Sequence, residues 1–246
     1  MGDNSINRQI DWQLADIILV LFFTLTVTPI LFHVVWWGLD QILALDSLMQ
    51  IRLLILNLIQ AVLLGSLTLI VVTRNYYLSV SNFGLKKIDI DSILKYGVVG
   101  GIVICIFVVL INNLIHAVVS KIYGINPPTQ QVIKDLLKSN NNWIFILHTC
   151  LIVIIAPISE EIFFRGFIYS YCKSKLGITK GILLNGVIFG LAHFSIWVFI
   201  PTFLGGIILA WIYERTNSLY SSILAHGVWN LIIVLLIFII WKAGIF

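Results

Sequence analysis

Apolar residues in this chain fall into long blocks separated by short polar stretches. The blocks cover roughly 14–38, 50–73, 93–120, 142–173, 179–196, 198–215 and 219–243. Each is near the ~20 apolar residues that a helix needs to cross a bilayer. The pattern therefore predicts seven spans, give or take one. The fifth and sixth blocks meet near Pro201 with no charged loop between them, which predicts a tight hairpin or a re-entrant pair. The polar N-terminus precedes an apolar run longer than the core of a signal peptide, so the first block reads as an uncleaved span.

Two connecting segments read as interfacial. Residues 82–96 mix Lys86, Lys87, Asp89, Asp91 and Lys95 with apolar positions. Residues 121–141 contain Pro127 and Pro128, then Thr129 as the cap of a short helix. The apolar face of that helix would be Val132, Ile133, Leu136 and Leu137. It suits a surface helix resting on lipid headgroups better than a lid over a substrate.

Composition agrees with lipid as the solvent. The chain is 60% hydrophobic and only 11% charged, with a mean hydropathy of +1.04. A soluble fold is about a quarter charged and could not cover its surface with so little. The fold class expected is therefore all-α, a polytopic transmembrane helical bundle forming one integral domain over 1–246. Residues 1–141 carry no motif, and 142–243 carry the candidate chemistry. The net charge of +4 does not imply nucleic acid, because basic residues gather in the short loops of membrane proteins. With seven spans, Arg8, Arg74, Lys86, Lys87, Lys95, Lys173, Lys175, Lys180 and Arg215 share the side of the N-terminus. The opposite side has Arg52, Lys121, Lys134, Lys138 and Lys242. This bias predicts a cytoplasmic N-terminus in the cell membrane. Cys105, Cys150 and Cys172 show no CxxC spacing and read as small apolar residues.

Ionisable groups inside spans are costly, and their presence points to function. All eight aspartates lie at or before Asp135, and the only glutamates are Glu160, Glu161 and Glu214. Glu161 and Arg165 are four apart on a helix and share a face. Glu160 points about 100° away. Pro157 should kink this helix one turn earlier and free backbone carbonyls beside the acids. His193 and His226 follow in deep positions, with Asn230 on the same face as His226. At ~1.5 Å per residue, Glu160 and His193 each lie ~20 Å from the cytoplasmic ends of their spans. Asn230 lies ~16 Å and His226 ~10 Å into the last span. These depths are compatible with one site. His33, His116 and His148 fall toward the external ends and read as interfacial or hydrogen-bonded side chains.

Three motifs now stand in order: Glu160-Glu161 with Arg165, Phe189 with His193, and His226 with Asn230. Together they resemble the CAAX-protease and bacteriocin-processing family of intramembrane endopeptidases, also described as type II CAAX prenyl endopeptidases or the Abi family. The stretch from Glu214 to His226 also resembles that family's approach to its third motif. The resemblance covers about residues 150–232. Any one motif is weak, but three in order within apolar segments are specific. The eighth helix of the family has no clear counterpart.

The resemblance implies peptide hydrolysis by an activated water, with stabilisation of the oxyanion. Glu160 and His193 would position and deprotonate the water. Desolvation makes a carboxylate in an apolar bundle a stronger base. His226 and Asn230 would donate hydrogen bonds to the tetrahedral intermediate. Glu161 and Arg165 would support the site as an ion pair, with Glu161 able to reach it. The implied partners are a membrane-associated peptide or protein substrate, of CAAX or leader-peptide type, and the lipid bilayer. The cofactor expectation is none, or one divalent metal such as zinc held among Glu160, Glu161, His193 and His226. The HExxH motif is absent, which removes one membrane metalloprotease design. No Gly-x-Ser-Gly nucleophile and no intramembrane aspartate pair is present. Two other classes stay open. One is a non-catalytic immunity or scaffold protein of the same fold, in which Glu160 would be dispensable. The other is a transporter, for which inverted repeats are expected and none is visible.

Overall fold

The computed structural model of the chain describes residues 11–43, 49–86, 89–125 and 142–244. Arg8, Lys87, Lys134 and Lys138 lie outside these residues, as does the helix expected after Thr129. The described chain is helical, with no strand among the described residues. Among the described residues, six helices are long and apolar enough to cross a membrane: α1 Leu14–Leu43, α2 Ile51–Asn75, α4 Ile90–Tyr123, α5 Asn142–Leu176, α7 Ile196–Thr216 and α8 Leu219–Lys242. Between α2 and α4 lies a single turn, α3 Val80–Phe83. Between α5 and α7 lies the shorter apolar helix α6 Ile178–Leu191. The protein is thus an integral, multi-pass helical bundle, and its seven apolar helices correspond to the seven blocks of the sequence.

The fifth block departs from expectation. Its 14-residue helix rises only ~21 Å, against ~30 Å of hydrocarbon. It ends at Leu191 rather than near 196. The physical reason is local. The Phe189 carbonyl accepts His193 Nδ1 at 2.9 Å, while the backbone N–H of His193 tightens to the Gly190 carbonyl at 3.3 Å. Phe194 then turns left-handed, with φ 48°. The chain reverses here as a tight hairpin, and Pro201 lies inside α7 rather than at the junction.

Small residues let these helices approach closely, as is usual where lipid supplies no hydrophobic drive between helices. A Cβ on Gly206 of α7 would stand 3.1 Å from the Gly186 Cα of α6. One on Gly186 would meet the Phe203 carbonyl oxygen, also at 3.1 Å. The α5–α6 reversal takes a single residue, Gly177, at φ 79° and ψ 174°, a conformation open essentially to glycine alone.

Helix α5 runs through the middle of the bundle, against α2, α6, α7 and α8. Every residue from Ile162 to Tyr169 is buried. Beneath this stretch, Phe83 of α3 is 1% exposed and fills the space left by Gly166, where a Cβ would stand 2.5 Å from its ring. Trp12 packs edge-on against Phe83 at 6.1 Å. The Phe83 carbonyl accepts Tyr213 Oη at 3.2 Å, and the Gly84 carbonyl accepts the Leu219 N–H at 2.8 Å. The start of the segment expected to be interfacial is therefore a buried plug, because Phe83 is aromatic and the α7–α8 turn supplies donors to its backbone. Nearby, Tyr76 donates to Asp16 at 2.5 Å. That carboxylate pushes the phenol up to about 12, so the contact between the end of α2 and α1 keeps its donor through neutral pH.

The glycine contacts make a testable demand. Gly186→Val should lower the thermal midpoint in detergent, at a cost of about 1–3 kcal/mol for overpacking. Gly38→Ala, where a Cβ meets nothing within 4 Å among the described residues, should not lower it. Differential scanning fluorimetry of the two variants checks this.

Candidate active site

The acids of α5 are held from three sides. Arg165 Nη1 donates to Glu161 Oε1 at 2.7 Å, with both side chains fully buried. Its Nη2 donates to the Gly206 carbonyl of α7 at 3.2 Å. Its guanidinium lies 4.4 Å over the Phe189 ring of α6. The same Glu161 oxygen accepts His226 Nδ1 of α8 at 2.9 Å. One carboxylate and one guanidinium thereby tie four helices together. Glu160 points elsewhere, as its 100° offset requires. It is partly exposed, and its Oε2 stands 3.9 Å from His226 Nε2.

Phe189 collects the aromatic groups. His193 lies edge-on to it at 5.0 Å and His226 at 5.7 Å, while Trp229 stacks on His226 at 5.4 Å. His193 stands in the exposed turn after α6 rather than within a helix, which corrects the expected burial of that position.

Pro157 does free a carbonyl, as its missing N–H requires. The Ile152 carbonyl, one turn before it, accepts Asn230 Nδ2 at 2.9 Å. Gly227 lets α8 approach here, since a Cβ would stand 2.8 Å from the Val153 carbonyl oxygen. The helix stays continuous around Pro157, and its turns widen to i→i+5 spacing at Leu151–Ile155 and Ile162–Tyr169. Asn230 thus spends one amide N–H on α5 and keeps the other.

The structure brings Glu160, Glu161, Arg165 and His226 into one connected group. His193 joins it through Phe189, and Asn230 through α5. Three residues that sequence reasoning missed complete it. The widened stretch of α5 exposes backbone carbonyls, and side chains satisfy them: Asn185 Nδ2 donates to the Phe164 carbonyl at 2.7 Å, Ser170 Oγ to Arg165 at 3.3 Å and Trp12 Nε1 to Phe167 at 3.2 Å. Asn185 had a signal, being a lone amide in an apolar run. Glu214 serves away from the acids, accepting Lys173 Nζ at 2.7 Å and Tyr169 Oη at 2.8 Å.

The donor set is a poor match to a protein-held metal. A protein-held zinc needs at least three His, Cys or carboxylate ligands converging on a point. Among the described residues no three such side chains do so. One Glu161 oxygen is already shared by Arg165 and His226, and His226 Nδ1 is spent on it. Glu160, Glu161, His193 and His226 as arranged do not fit such a site.

Comparison with known proteins falls on the same segment. Residues 141–232 match the family described as type II CAAX prenyl endopeptidase Rce1-like. All seven motif residues lie within it, so the resemblance read from the motifs is shown over this part of the chain. The chain is 34% identical over 80 residues to the UPF0177 protein YxdF of Lactococcus lactis subsp. lactis, covering 32% of this chain and 43% of that one. It is 31% identical over 83 residues to the "Putative membrane peptidase YdiL" of Bacillus subtilis, covering 34% of each. The matched part is less than half the length of either relative. No solved structure matches.

Breaking the buried pair should be costly. Arg165→Met leaves Glu161 charged and desolvated, a loss of about 3–5 kcal/mol. Adding Glu161→Gln removes the stranded charge and should restore part of the loss. Unfolding of single and double variants in the same detergent checks this.

Proposed function

We propose that the protein is an intramembrane endopeptidase acting on membrane-associated peptides or proteins, of CAAX or leader-peptide type. The observation that carries this is the convergence of Glu160, Glu161, Arg165 and His226, with His193 against the shared Phe189, inside the segment matched to an endopeptidase family.

In this reading a water lies against Glu160, the partly exposed carboxylate of the group. Glu160 and His193 orient it and take its proton as its oxygen attacks the peptide carbonyl. His193 suits this. Its Nδ1 donates to a carbonyl, so its Nε2 carries the lone pair. The tetrahedral oxyanion is met by His226 and by the remaining N–H of Asn230, donors held in place beforehand by Glu161 and the Ile152 carbonyl. The proton then passes to the departing amine. The arrangement supports a scheme in which these side chains activate the water without a protein-held metal. The basic bias of the loops supports a cytoplasmic N-terminus in the cell membrane.

Cleavage of a membrane-peptide library by the purified protein in liposomes tests the reading. Glu160→Gln should lower kcat about 10²–10⁴-fold, the usual weight of a positioned acid–base group. Asn230→Ala should lower it about 10²–10³-fold, as for one oxyanion donor. EDTA should leave the rate unchanged. A biological activity that survives Glu160→Gln would instead identify a non-catalytic immunity or scaffold role.

A further inference from the structure

Resting on the endopeptidase reading, we propose that Glu161 is a positioning residue. It holds the His226 ring by Nδ1 and so makes Nε2 the nitrogen that meets the reacting atoms.

The argument starts from where protons can be. Glu161 Oε1 accepts Arg165 at 2.7 Å with both groups out of water, and a carboxylate in such a pair is ionised and only accepts. At the 2.9 Å contact with His226, the hydrogen must therefore sit on Nδ1. The ring cannot turn over to offer Nδ1 elsewhere. Trp229 stacks on its face, 27° from parallel, and Phe189 meets it at 79°. Nε2 is then the only ring nitrogen left for chemistry, and it points toward Glu160, 3.9 Å away.

His193 is held by the same atom but by a different partner. Its Nδ1 donates to the neutral Phe189 carbonyl, whereas that of His226 donates to a carboxylate. A ring anchored on a neutral acceptor keeps a lone pair on Nε2 and serves as an acceptor. A ring between carboxylates can carry a proton on each nitrogen, each facing an acid: Glu161 on Nδ1 and Glu160 beyond Nε2. The partners of Nδ1 thus separate the histidines into an acceptor and a donor. Glu161 acts through His226 and does not touch substrate. Its other oxygen has no hydrogen-bond partner among the described residues, and the Arg165 and His226 bonds converge on a single atom.

Two measurements on the full chain in detergent test this. The first is the cleavage rate of His226→Gln and His226→Asn. A glutamine amide nitrogen can occupy the place of Nε2, and an asparagine that of Nδ1; neither change removes the Glu161–Arg165 pair. His226→Gln should retain at least about ten times the kcat of His226→Asn at similar KM, the scale of a partly restored donor. Glu161→Gln should lower kcat more than it changes KM. The second is ¹⁵N NMR of histidine-labelled protein, with the His226 signals assigned by their loss in His226→Gln. A protonated Nδ1 on His226 that is altered in Glu161→Gln is expected. Equal rates for the two His226 variants, or a proton on Nε2 alone, would overturn the proposal. Wild-type protein that cleaves nothing would refute the endopeptidase reading, while the nitrogen signals would still decide the role of Glu161.

Discussion

A carboxylate and a guanidinium with no access to water are the constraint around which this bundle is arranged. Desolvating two charges costs several kcal/mol each, and their attraction offsets this only when the remaining hydrogen-bonding capacity is met. Arg165 therefore reaches the Gly206 carbonyl and lies over Phe189, and Glu161 takes His226. These demands come from α5 and are answered by α6, α7 and α8. The glycines at 186 and 206 follow from the same demand, because the guanidinium can reach a backbone carbonyl only where the helices run close. An apolar core of equal volume would need none of this registration.

Part of that arrangement was legible in the chain. Residues four apart on one helix share a face in any fold, so Glu161 with Arg165 and His226 with Asn230 could be read directly. The missing N–H of Pro157 was enough to expect a free carbonyl beside the site. What could not be read is which partner takes each freed group. Asn230 finds Ile152 across 78 residues, and Trp12 finds Phe167 across 155. Such pairings depend on the packing of whole helices, which a hydropathy pattern does not encode. The early end of α6 was missed for a related reason. Ala-His-Phe-Ser is apolar enough to extend a span, and only the His193 side chain, by taking the Phe189 carbonyl, stops it.

The N-terminal half carries no motif, yet it is not inert packing. Trp12 and Phe83 close the flank of the widened α5 turn, one by a hydrogen bond and the other by filling the notch at Gly166. A widened turn leaves carbonyls that hydrocarbon cannot satisfy. The motif-bearing helix thus depends on residues with no chemistry of their own, which explains how a family resemblance can be confined to 141–232 while the fold is not.

The short helix α6 has a consequence for hydration. A span some 9 Å short of the hydrocarbon thickness is accommodated by local thinning of the bilayer or by water drawn down to its end. The N–H groups of Ala192, His193 and Phe194 are met by the Ile188, Gly190 and Leu191 carbonyls, while carbonyls past the helix end need water or a protein donor rather than lipid. His193 is the residue at that end. For the endopeptidase proposed above, hydrolysis would be limited by the supply of its second reactant, and a truncated span would bring that reactant to one side chain without opening a channel through the rest.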